Sequence, residues 1–499
     1  MATTTHVAAE LPVCPTFIGA ERRASRGRTE VLRNPATGEA VALVPYCTPE
    51  EVRAAVDAAQ NAFDSWRRTP VVQRCKVLFA FHQLLLERAE ELAALVTEEN
   101  GKTLEEARAS VERGIESVEF ACGAPSLLMG ETVPGVGTNV DAYSVREPLG
   151  VCVGIPPFNF PAMVPMWMFP LAIACGNTFV LKPSDKVPRS AVRLVELLYE
   201  AGLPAGVMNV VHGAREVVDA LIADPRVKAV SFVGSSAVAK YVYETASAKG
   251  KRVQALGGAK NHLVVMPDCD LKAAAKAIAA AAFGCAGERC LATSVVVAVG
   301  EAGDRLVDEL GQAVDQITPG PGTDARCSMG PVITAEHRQR ILSYLDIGEK
   351  EGAVLVRDGR GDSESGGYFL RPSIFDRVRP EMRIAREEIF GPVLSVIRAR
   401  DLSEAIQVIN RSDYGNAAAI FTNSGYAARE FTSTVQAGMV GVNVGVPAPL
   451  SFFPFAGWRG SFFGDLHALG KDGVRFYTET RVVTTRWPEP SRQAYKPSF

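Results

Sequence analysis

Apolar positions recur along this chain with two different periods, and the change from one to the other divides it. Val52, Ala55, Val56, Ala59, Phe63 and Trp66 keep a helical period. Just before them, Thr48-Pro49-Glu50-Glu51 supplies a capping hydroxyl, a proline for the first turn and a carboxylate that can close a capping box. The same period predicts a helical run from about Val71 to Asn100, stopped by Gly101, and another from about Thr103 to Cys122 that buries Val111, Ile115 and Val118. From Leu149 the pattern changes to short β-branched runs, at 151–155, 178–181, 207–211, 229–233 and 253–256, separated by helical stretches. Strands alternating with helices predict parallel βαβ units with right-handed crossovers, hence an open doubly wound sheet, a fold that binds nucleotides at the carboxyl ends of its strands. A second alternating series after Asn261, at 294–299, 353–356, 393–397, 417–421 and 439–442, predicts a second α/β unit. The Gly- and Ser-rich stretch 358–367 reads as an exposed loop.

Length and composition fit this division. A chain of 499 residues has room for two or three units, and 47% hydrophobic with 22% charged residues is ordinary globular usage. The formal net charge of −3 argues against nucleic acid as a partner. Ten cysteines without a C-x-x-C pair or Cys/His ligand spacing predict reduced thiols and no metal site, as in a cytoplasmic protein. The N-terminal MATTTHVAAELPVC has neither the basic nor the apolar segment of a secretion signal. Prolines at 156, 157, 161, 165 and 170 interrupt the longest apolar stretch, so no membrane span is expected there.

Four segments carry candidate chemistry. In Phe283-Gly-Cys-Ala-Gly-Glu-Arg-Cys290, two glycines let a ligand approach the backbone, and Arg289 offers a positive field that would lower a neighbouring thiol's pKa. Cys290 reads either as a thiolate nucleophile or as one buried cysteine among ten. Asn159, in the Pro156-Pro-Phe-Asn-Phe-Pro161 turn, is either a preorganised donor to an oxyanion or an ordinary turn residue. Lys182 and Asp185 close the 178–181 strand. A carboxylate there can take both hydroxyls of an adenosine ribose and repel a 2′-phosphate; the alternative is a solvated strand-end pair. Gly234-Ser235-Ser236 opens a helix and can receive a pyrophosphate, although the G-x-G-x-x-G fingerprint is absent and an ordinary helix start reads the same way.

In order, the proline-flanked Asn159, Lys182-Pro-Ser-Asp185, Phe232-x-Gly-Ser235, Gly257-Gly258, Cys290 and Glu388-Ile-Phe-Gly-Pro392 resemble the aldehyde dehydrogenase superfamily from about residue 15 to the C-terminus. The resemblance implies NAD as cofactor, Cys290 as nucleophile and Asn159 as oxyanion donor. It further implies Lys182 and Asp185 at the adenosine ribose, Glu388 at the nicotinamide ribose, and Pro157, Phe158, Gly234, Ser235, Gly258 and Phe390 elsewhere around the cofactor. Two positions depart from the pattern: Asp185 is one methylene shorter than the usual Glu, and Ala239 replaces a Gly.

A third departure changes the expected reaction. Hydrolytic members carry a Glu 34 residues before the nucleophile, where this chain has Leu256 in Leu256-Gly-Gly-Ala-Lys-Asn-His262. That segment is similar to the CoA-acylating methylmalonate-semialdehyde dehydrogenases, as are the stretches 161–170, 445–455 and 460–473. A thioester without an activated water awaits a better nucleophile, such as the thiol of coenzyme A. By the same resemblance Arg113 and Arg289 hold a substrate carboxylate, while Phe158 and Phe455 line the aldehyde channel; without the resemblance, Arg113 reads first as a solvated helix residue. The implied fold is α/β and aldehyde dehydrogenase-like, with a doubly wound NAD-binding domain (1–125 and 149–258), an α/β catalytic domain (259–470) and a β oligomerisation arm (126–148 and 471–499). The arm's open edge implies a homotetramer, a dimer of dimers. The rival readings are a hydrolytic dehydrogenase acting on another aldehyde and a non-catalytic descendant of the fold.

Overall fold

The computed structural model describes residues 11–361 and 366–487. The helix at Pro49–Arg68 forms as its sequence predicts. Thr48 accepts from the Glu51 N–H and the Glu51 carboxylate accepts in return from the Thr48 N–H, closing the capping box. A second capping box, Thr103 with Glu106, starts Leu104–Cys122. The long run between them is two helices, Val71–Glu87 and Ala89–Asn100, because Arg88 leaves helical geometry (φ −109°, ψ 14°) and a new N-terminus with Glu90 and Glu91 in its first turn begins there. Gly101 ends the second of these at φ +90°.

The first sheet has eight strands in the spatial order Glu21–Arg23, Thr16–Ile18, Met208–Val210, Thr178–Leu181, Val151–Ile155, Val227–Val233, Arg252–Leu256 and Phe462–Gly464. Its five central strands are parallel, and the chain starts in the middle and winds outward to both sides, so the loops after Val151–Ile155 and its neighbours open a crevice at the carboxyl edge. The outer strands were not apparent in the pattern. Thr16–Ile18 and Glu21–Arg23 are three residues each, too short for a period to show. Phe462–Gly464, which the division at 259 and 470 assigns to the catalytic unit, instead pairs with Arg252–Leu256 in the first sheet.

The second sheet has seven strands, ordered Val354–Arg357, Ser373–Asp376, Val393–Ala399, Thr293–Val299, Asn261–Val265, Ala417–Phe421 and Met439–Val442, all parallel except the first. Five of these strands coincide with the predicted apolar runs. Asn261–Val265 begins with polar side chains and Ser373–Asp376 spans four residues, so neither stood out. A separate three-stranded antiparallel sheet joins Thr132–Gly137, Val140–Pro148 and Thr478–Arg486. Its strands are largely exposed, with Val133 at 55% and Val482 at 69% of full accessibility. The C-terminal strand starts at Thr478, after the Gly470–Phe476 helix, and Phe476 and Tyr477 are buried in the first sheet's core. Among the described residues, no helix is long and apolar enough to cross a membrane.

Candidate active site

Cys290 lies where two cavities meet. The larger, about 500 Å³, is walled by the loops at the carboxyl edge of the first sheet and by the Glu388–Phe390 segment. The smaller, about 350 Å³, lies between the Leu104–Cys122 helix and the 446–455 segment, with Phe160, Met163 and Trp167 on its wall. Cys290 lines both.

The loop that carries Cys290 is fixed from both sides. Its carbonyl accepts from Asn261 Nδ2 and Asn416 Nδ2, each at 2.9 Å, and both amides belong to the second sheet's side of the crevice. From the first sheet's side, Asn159 Nδ2 donates to the Glu288 carbonyl at 2.8 Å, and the buried Lys102 donates to the Asn159 carbonyl at 2.6 Å. The Asn159 amide keeps a second N–H for another acceptor. Cys285 and Ala286 hold left-handed backbone (φ 52° and 53°), a strain of the kind that clusters at functional sites. Gly287 also has φ +71°, and a β-carbon there would lie 2.3 Å from the Gly391 carbonyl oxygen, so only glycine lets this loop pack on the 388–392 segment.

Arg289 does not activate the thiol in the way its position in the sequence suggests. Its guanidinium turns to Cys285 Sγ (3.3 Å) and to Glu106 Oε1 (3.2 Å). Burial pushes the Cys290 thiol up to about 12; the Glu388 carboxylate adds to the rise, and the N–H groups of Cys290 and Leu291 oppose it more than Arg289 does. Desolvation therefore outweighs the positive field expected from the sequence.

Every residue implied as a cofactor contact lines the larger cavity: Pro157, Phe158, Lys182, Asp185, Gly234, Ser235, Gly258, Glu388 and Phe390. Asp185 follows the Thr178–Leu181 strand and accepts from the Tyr46 hydroxyl at 3.0 Å. Lys182 is buried and spends two N–H groups on the Pro183 and Gly213 carbonyls at 2.8 Å, so its amine is chiefly a brace for this wall. Ser235 precedes the twelve-residue helix Ser236–Ser247 and makes no side-chain cap, leaving the N-terminus free to meet an anion. Ser236 Oγ instead donates to the Gly460 carbonyl and accepts from the Gly258 N–H. Glu388 accepts from the Ala259 N–H at 2.8 Å, and burial raises its carboxyl to about 6. A β-carbon on Gly258 would stand 2.3 Å from Glu388 Oε2, so the second glycine of the pair makes room for this carboxylate. A carboxylate at one end, a free helix N-terminus between, and Glu388 beside a thiol at the other form a donor and acceptor set that fits NAD.

The smaller cavity holds Arg113, Arg289 and Phe455, as implied, but not Phe158. Phe158 lies in the larger cavity, edge-on to Phe390 at 5.7 Å, with Lys186 Nζ over its ring at 5.1 Å, because the stiff proline turn directs it toward the crevice. Phe160 occupies the channel wall instead, beside Trp167, which tilts on Phe455 at 5.1 Å. Both arginines are already paired, Arg113 with Glu116 at 2.8 Å and Arg289 with Glu106. Leu256 is 4% exposed at the end of its strand, between Val233 and Phe462.

The residues missed from the sequence act at a distance. Arg340 donates to the Glu388 and Ile389 carbonyls (2.7 and 2.6 Å), and His337 Nε2 meets the Phe390 carbonyl at 2.7 Å, so together they hold the segment that carries Glu388. Glu106 accepts from Arg289, from the Cys285 N–H and, through its capping box, from Thr103. That capping-box spacing, Thr-x-x-Glu, was the one local signal available for any of them.

Comparison with known proteins agrees with this architecture. The Aldehyde dehydrogenase family model matches residues 22–483, and the chain belongs to that family. It is an aldehyde dehydrogenase with the mixed α/β fold of that family. Among its relatives, the malonate-semialdehyde dehydrogenase 2 of Geobacillus thermodenitrificans is 57% identical over 480 residues, 96% of this chain and 99% of that one. The malonate-semialdehyde dehydrogenase of Halalkalibacterium halodurans is also 57% identical, covering 94% and 98%. A solved methylmalonate-semialdehyde dehydrogenase from Oceanimonas doudoroffii superposes with a TM-score of 0.95 at 49% identity, covering 96% and 99%. A Sinorhizobium meliloti 1021 protein assigned to the same group, solved with NAD, gives 0.95 at 47% identity, covering 97% and 99%.

Proposed function

We propose that the protein oxidises methylmalonate semialdehyde and malonate semialdehyde with NAD and transfers the acyl group to coenzyme A, giving propanoyl-CoA and acetyl-CoA. The observation that carries the reading is the position of Cys290 at the junction of a cofactor-type cavity and a cavity containing two arginines. The semialdehyde enters the smaller cavity with its carboxylate between Arg113 and Arg289, whose remaining guanidinium N–H groups are free to turn to it. Cys290 gives its proton to solvent water and its sulfur bonds to the aldehyde carbon. Asn159 and the Cys290 N–H hold the resulting oxyanion. Bound NAD, anchored by Asp185, the helix at Ser235 and Glu388, supplies the hydride acceptor. The Cys290 thioester that remains carries a β-carboxylate, which leaves as carbon dioxide because the electron pair left behind is stabilised as an enolate, and the enolate then takes a proton from water at carbon. Coenzyme A then displaces the sulfur, restoring the thiol.

Leu256 supports the last step. With a buried leucine where a water-activating carboxylate would stand, the thioester is left for an external thiol. The exposed three-stranded sheet supports assembly of four such chains as a dimer of dimers, and the three-part division of the chain and a cytoplasmic setting belong to the same proposal. A second reading rests on Glu388, which lines the cavity with Cys290 and, with its carboxyl near 6, could activate water for hydrolysis. Product analysis with both semialdehydes, NAD, and coenzyme A present or absent separates the two. Acyl-CoA formation that requires Cys290, lost along with all NADH in Cys290→Ala, is the expected result; rapid multiple-turnover acid formation without coenzyme A would establish the hydrolytic reading.

A further inference from the structure

We propose that Tyr46 is a specificity-determining positioning residue that fixes the short Asp185 carboxylate toward the adenosine ribose and so maintains the preference for NAD over NADP. The inference rests on the reading of the larger cavity as an NAD site. Aspartate reaches less far than glutamate, and a half-buried aspartate on a loop after a strand has several rotamers to choose from. Tyr46 removes that freedom. Its hydroxyl donates to Asp185 Oδ2 at 3.0 Å from a side chain that is itself 9% exposed, which leaves Oδ1 to face the cavity.

The tyrosine is suited to act as a tether because its own frame does not move. The Tyr46 N–H donates to the Arg28 carbonyl at 2.7 Å, and the Cys47 N–H donates to the His212 carbonyl at 2.8 Å. The next residue, Thr48, starts the capped helix Pro49–Arg68. The Arg28 guanidinium lies 4.3 Å from the ring centroid, so the aromatic plane is held as well as its backbone. Beside it Lys182 is tied to the Gly213 carbonyl, one residue beyond the His212 whose carbonyl holds the Cys47 N–H. Tyr46, Lys182 and the 212–213 loop thus form one braced unit behind Asp185. Burial and the adjoining carboxylate both push the phenol's pKa up, so the hydroxyl is a constant donor at working pH.

A tether of this kind contributes orientation and leaves the charge of Asp185 unchanged. A 2′-phosphate is rejected when the carboxylate faces the ribose and is tolerated better when it swings away. Tyr46→Phe keeps the ring and removes the hydrogen bond. Titration calorimetry with NAD and with NADP, without aldehyde, should show the NAD Kd rising about three- to tenfold while the NADP Kd stays the same or falls, as expected for the loss of one ordinary hydrogen bond that acts through orientation. Turnover at saturating NAD should be retained, with the change confined to the KM for NAD. In an Asp185→Glu background, where the longer side chain reaches the ribose untethered, the same Tyr46→Phe change should alter the NAD Kd less than about twofold. Equal rises in both Kd values with a lowered Tm would mean a merely structural role and overturn the inference. A normal NAD Kd in Tyr46→Phe, with weakened binding in Asp185→Ala, would also overturn it while leaving the ribose contact intact. No change in either variant would overturn the NAD-site reading itself.

Discussion

Leu256→Glu asks whether the missing carboxylate alone separates this enzyme from a hydrolase. Leu256 is 4% exposed, ends the Arg252–Leu256 strand and faces Val233 on one neighbour and Phe462 on the other. Losing its apolar burial costs about 2 kcal/mol. The fold's own buried carboxyls show what a glutamate would experience there. Glu288, 3% exposed, is pushed up to about 8 by desolvation, and Glu388 to about 6. A new carboxyl behaving like Glu288 is mostly neutral at pH 7, and holding it so adds up to ~3.4 kcal/mol, from 1.36 kcal/mol per pKa unit above an ordinary 4.5. Together these fall short of the upper part of the ~5–15 kcal/mol that native proteins have, so the variant should fold with a lowered Tm. The unmodified enzyme, given semialdehyde and NAD but no coenzyme A, should release about one NADH per Cys290 and then nearly stall. Leu256→Glu should continue past that burst, its coenzyme-independent rate rising by ~10²-fold, the lower range for a positioned general base. Because its carboxyl must be ionised to accept a proton, that gain should grow as pH rises toward and through about 8. Stopped-flow absorbance of NADH over pH 6–9 reads both phases. A folded Leu256→Glu protein with no gain across this range would show that position 256 does not face the thioester, and the argument from the missing base would fail.

Alkylation of the cofactor-free protein by iodoacetamide should be slow and should accelerate close to tenfold per pH unit from 7 to 9, since the Cys290 thiol is held near 12; a plateau below pH 8, measured by mass spectrometry at Cys290, would show Arg289 dominating after all. Asn159→Ala should slow the NADH burst by ~10²-fold or more while leaving NAD binding in place. An unchanged burst would remove Asn159 as an oxyanion donor. Arg113→Leu should lower kcat/KM for semialdehydes by about ten- to a hundredfold, the range expected for losing a charge-assisted pair, and hardly affect propanal. Equal losses with both substrates would show Arg113 serving the fold through Glu116 alone.

What the sequence discloses follows from how local each cause is. The capping box at Thr48, the helix start at Thr103, the αL stop at Gly101 and the runs that form the parallel strands are set by neighbours within a few residues, and they appear where the pattern places them. The nine residues that the motifs mark for the cofactor all line the larger cavity, and a motif carries its own backbone requirement, as Gly258 shows by leaving space for Glu388. Side-chain direction was not. Phe158 and Phe160 are two residues apart in one proline turn, yet they line different cavities. Arg289 stands beside Cys290 in the chain but is drawn away by Glu106, 183 positions earlier. Tyr46, Arg340 and His337 belong to no motif and matter only because the fold brings them to Asp185 and to the Glu388 segment.

The way the Cys290 loop is held explains why the two sheets must be built together. Asn261 and Asn416 reach the Cys290 carbonyl from the second sheet, while Asn159 reaches the Glu288 carbonyl from the first, and these grips lie two residues apart in the same loop. If the sheets moved apart, the loop could follow one side only, and either Cys290 or Asn159 would be displaced. A hydrogen bond that reacts to such a shift changes steeply in strength with distance and angle, so the amides limit relative motion at the place where the chemistry depends on it. The left-handed backbone at Cys285 and Ala286 is compatible with this arrangement only because the Cys285 N–H is anchored to Glu106 at 2.6 Å and Gly287 packs directly on the 391–392 backbone. Loop strain, the three asparagines and Gly287 therefore act toward one end: a thiol held still where the two cavities meet.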